Sequence, residues 1–108
     1  MDLSTLSNIL MELKTASSYV NQNPTDGNLR SLMDKYNMLF LGENFNCIYS
    51  SELTHAINNV FKIQVTNEEI TAHIPIVCTA LHMDYEPMVA VKDVSNPNPG
   101  LACYKITL

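Results

Sequence analysis

His73, Cys78 and His82 form the one cluster in this chain whose types and spacing suit a metal ion. Cys78 and His82 stand four apart, so a helix would set both on one face, as two ligands of a tetrahedral zinc require. His73 lies five before Cys78, off that face unless Pro75 turns the helix, and Asp84 or Glu86 would have to complete the set. Structural zinc sites use two paired ligand spacings, whereas only one pair exists here. A core cysteine between two half-exposed histidines accounts for the same residues, so no metal and no cofactor are expected.

Nucleophilic chemistry would need Cys47, Cys78 or Cys103 beside His55, His73 or His82, and no local signature pairs any of them. The carboxylate pair Glu68–Glu69 fits a helix cap, and Asp84–Glu86 fits a turn before Pro87. Gly27, Gly42 and Gly100 are too few and too dispersed for a phosphate-cradling loop. Nucleophile, base and stabiliser do not come together, so the expectation is a protein that is not an enzyme.

Composition narrows the remaining classes. The 108 residues suffice for one domain with its own core, read as residues 1–108 with an N-terminal helix over 1–22 and a core over 29–108. Charged residues make up 16%, below the ordinary ~25%, which argues against disorder. A net charge of −5 disfavours non-specific binding to nucleic acid or to an anionic membrane. The six cations are Lys14, Arg30, Lys35, Lys62, Lys92 and Lys105, and none lies between Ile63 and Val91. Three widely spaced cysteines without a CxxC pair, and an acid at Asp2 where a signal peptide needs positive charge, predict reduced thiols in a cytoplasmic protein.

The elements that must position these residues follow from periodicity. Leu3, Leu6, Ile9, Leu10, Leu13, Ala16 and Val20 recur at helical steps, with Asp2 placed to cap them. After turn formers at Asn23 to Asn28, a second helix is predicted over Leu29–Leu41, burying Leu29, Leu32, Met33, Tyr36, Leu39 and Phe40 and ending at Gly42. A short strand over Phe45–Tyr49 leads to a third helix capped by Ser50 or Ser51, with Leu53, Ala56, Ile57, Val60 and Phe61 inward. Thr66-Asn67-Glu68-Glu69 reads as a capping box, flanked by the staple pair Val65 and Ile70. The helix it opens should bury Ile70, Ile74, Val77, Cys78 and Leu81, kinking or splitting at Pro75. Met88–Val91 and Leu101–Ile106 alternate as two strands around a stiff loop at Asn96–Gly100.

The predicted fold class is therefore α+β, mainly α: four helices, a short strand and a C-terminal β-hairpin. From Leu29 onward, the strand-to-helix segment Ile48–Leu53, the short Lys62–Val65 turn and the terminal hairpin together resemble a winged helix-turn-helix domain, preceded here by an extra helix. That resemblance implies that the outward side of the Thr66-capped helix, with the wing, makes the contacts. The candidate contact residues for DNA or a partner are then Asn67, Thr71, Thr79, Lys92, Asn96, Asn98 and Lys105. A recognition helix without a cation has little to offer a phosphate backbone. The leading expectation is a small acidic regulatory module working through protein–protein contact, of which a mobile-element inhibitor is one version. The alternative is a dimeric DNA-binding transcription regulator. Leu3, Leu6, Leu10 and Leu13 are the candidate interface for a homodimer or partner.

Overall fold

The structure, a computed structural model, describes residues 1–89 and 101–108. Four helices and three strands follow in the order α1 (Leu3–Gln22), α2 (Asp26–Tyr36), β1 (Cys47–Tyr49), α3 (Ser50–Asn59), α4 (Asn67–Leu81), β2 (Asp84–Val89) and β3 (Leu101–Thr107). The chain is α+β and mostly helical. No helix among the described residues is long and apolar enough to cross a membrane.

Helix α1 begins where Asp2 accepts the Thr5 N–H at 2.8 Å. Those bonds from Thr5 hold the Asp2 carboxyl below its usual range, because they favour the ionised form. The apolar stripe of α1 is spent inside the molecule. Leu6, Leu10 and Leu13 are fully buried in a core shared with Leu53, Ala56 and Ile57 of α3 and Ile70, Ile74 and Cys78 of α4. This corrects the expectation that Leu3, Leu6, Leu10 and Leu13 form an outward interface, since only Leu3 reaches the surface. A stripe of seven apolar residues needs a surface to cover it, and α3 and α4 cover its buried leucines.

Helix α2 departs from its predicted bounds at both ends. Thr25 caps it by accepting the Asn28 N–H at 3.1 Å, so residues read as a turn already belong to the helix. It stops at Asn37, whose left-handed backbone (φ 50°) replaces Gly42 as the terminator. Met38 and Phe40 are still buried from the loop beyond, but Leu39 is half-exposed rather than inward. Gly42 has a separate use: at φ 87° it turns the chain so that Leu41 and Cys47 bridge, and a Cβ there would sit 3.2 Å from the Cys47 Sγ.

The three strands form one antiparallel sheet in the order β1-β3-β2, so the short β1 joins the hairpin. Ile48 pairs with Ile106, and both are buried. β1 gives way to α3 at Ser50, and the Ser50 hydroxyl accepts the Tyr104 N–H at 2.8 Å, in place of a further strand carbonyl. Ser50 is thus a sheet latch, not a helix cap: the cap position is Tyr49, and no side-chain cap bond forms. Because the Tyr104 amide turns toward β1, the residue across from it on β2, Pro87, directs its missing N–H away from the sheet. Proline is tolerated there because β2 is an edge. Strand β2 consequently starts at Asp84, not at Met88, and Asp84–Glu86 is strand and not turn. Ala90 and Val91 and the Asn96–Gly100 loop lie outside the described residues.

Between α3 and α4, Asn58 grips Val65 twice. Its Oδ1 accepts the Val65 N–H at 2.8 Å and its Nδ2 donates to the Val65 carbonyl at 3.1 Å. Thr66 then accepts the Glu69 N–H at 3.1 Å, as the capping motif predicts, and Val65 and Ile70 are both buried. The reciprocal half of the box does not form. Both Glu69 carboxylate oxygens instead take hydrogen bonds from the Met1 amino group at 3.2 Å. Pro75 lies within a single helix running Asn67–Leu81, not between two pieces.

Candidate partner-binding face

Helix α4 presents two unlike sides. Ile70, Ile74, Val77 and Cys78 are buried, and at 3.6 residues per turn the opposite side carries Glu68, Ala72, Ile76, Thr79 and Ala80. All five are exposed, and Ile76 is 55% exposed. Leaving an isoleucine this open forgoes about 1 kcal/mol that burial would supply. Sequence reading passed over Ile76, although a signal existed: it stands two residues from Ile74, off the inward stripe, yet is as apolar as any core residue. The ridge ends in Glu68 and contains no cation, because none exists between Ile63 and Val91.

The predicted contact residues are dispersed relative to this ridge. Thr79 lies on it. Thr71 is half-buried on the flank, and Asn67, though exposed, has its Oδ1 held by the Thr54 hydroxyl at 3.3 Å. Lys105 sits on the central strand, in register with Glu86 of β2 and away from the α4 ridge. Lys92, Asn96 and Asn98 fall outside the described residues.

The residues weighed for metal or nucleophilic chemistry occupy separate settings. Cys78 is fully buried, and burial pushes its thiol up to about 11, so it stays protonated at neutral pH. His73 Nε2 lies 3.3 Å from the Met1 carbonyl oxygen, and His82 is exposed, in a left-handed conformation (φ 57°) that ends α4. Among the described residues no three His, Cys, Asp or Glu side chains gather as a metal site would need.

The carboxylates do not converge either. Glu68 and Glu69 stand at the start of α4, while Asp84 and Glu86 lie beyond its end, roughly 22 Å of helix away at 1.5 Å per residue. Glu52 is occupied in accepting the Leu39 N–H at 3.0 Å, and Asp93 is outside the described residues.

A second surface feature runs between α1 and α2. It is an open groove of about 570 Å³, floored by Ala16, Val20, Leu32 and the Tyr36 ring, with Glu12 on one bank and Lys35 on the other. The Tyr36 hydroxyl donates to Glu12 Oε2 at 2.8 Å. Desolvation, assisted by the Glu12 carboxylate, pushes that phenol up to about 12.

Comparison with known proteins finds no matching family model, no matching curated protein and no matching solved structure for this chain.

Proposed function

We propose that this chain is a small, non-enzymatic regulatory module of winged-helix type, acting through protein–protein contact along the outer ridge of α4. The observation that carries the reading is Ile76. It is an isoleucine 55% exposed at the middle of the helix that would otherwise face DNA, between Ala72 and Ala80 and without a cation. An apolar ridge gains by covering with another apolar surface and gains nothing from a phosphate backbone. The winged-helix comparison draws on the element order and on the strand order β1-β3-β2, with α4 directly before the hairpin. An inhibitor that mimics nucleic acid through a carboxylate patch has less support, since the acidic pairs lie at opposite ends of α4 and Glu69 is engaged by Met1.

Affinity capture from the host, with and without nuclease, tests this directly. The expected result is a protein partner that survives nuclease and is lost with Ile76→Glu. Retention of nucleic acid alone, together with a band shift at ~50 mM salt where the phosphate term is largest, would instead establish the DNA-binding regulator.

A further inference from the structure

We draw no further inference here: the strongest candidate, the open groove between α1 and α2 floored by Ala16, Val20, Leu32 and the Tyr36 ring, is an unpartnered apolar face, and nothing among the described residues shows what covers it.

Discussion

The α1–α2 hairpin and the half of the molecule built from α3, α4 and the sheet are held together by different means. The hairpin is formally neutral: Leu6, Leu10 and Leu13 from α1 pack into the core shared with α3 and α4, Leu32 from α2 is buried, and the Tyr36 hydroxyl donates to Glu12 across the two helices. The other half carries the acidic charge and is latched by polar groups reaching between elements, Ser50 to Tyr104 and Asn58 to Val65. Outward on α4, Ala72, Ile76 and Ala80 make an apolar strip beside Glu68 and Thr79.

The contrast breaks most visibly at Leu10. If α1 is core, Leu10→Ala should cost about 3 kcal/mol in urea unfolding, the usual range for a buried leucine. A variant that unfolds normally but fails to self-associate would return Leu10 to an interface role. Next in size is Asn58→Ala. It removes both bonds to Val65 and leaves that partly buried amide unpaired, so a loss of about 2 kcal/mol is expected by the same measurement. A loss below ~0.5 kcal/mol would mean that the latch is ornamental and that packing alone sets the α3–α4 turn.

The smallest effect is alkaline. Cys78 has a folded pKa of about 11 against an ordinary value of 9.0, so the folded state holds its proton more tightly than the unfolded state. That contribution is fully present below the ordinary value and is lost as pH rises toward the folded one. Stability should fall by about 1 kcal/mol between roughly pH 8 and pH 10, and Cys78→Ala should flatten that slope. In the hairpin, Tyr36 responds one step later, since its phenol stands near 12 rather than 10.0. Equal slopes in wild type and Cys78→Ala would show that the thiol does not sense folding.

Legibility followed distance along the chain. The Asp2 and Thr66 caps, most of the buried stripes of α1 and α4, and strands β1 and β3 are readable, because each depends on neighbours within about four residues, whereas the start of β2 at Asp84 is not. The ends of α2 were misread for a local reason: Thr25 and Asn37 can each serve a turn or a helix end, and the stronger-looking Gly42 lay close by. Ser50 was misread for a non-local one. Its hydroxyl would have satisfied a helix cap, but it accepts instead the partly buried Tyr104 amide, 54 residues away. Glu69 changed partner in the same way, from its own helix start to the Met1 amino group.

Sequence by itself determined that this is a mostly helical α+β chain, where α4 begins, and that α4 carries no lysine or arginine. Those properties are carried by residue types and short spacings, which any fold must respect. Only the tertiary structure decided that the stripe of α1 is core and not interface, that Pro87 lies on a sheet edge, and that Ile76 faces outward. Each of these depends on which surfaces meet across the molecule. A run of apolar residues states that something must cover it, and the packed fold chooses what does.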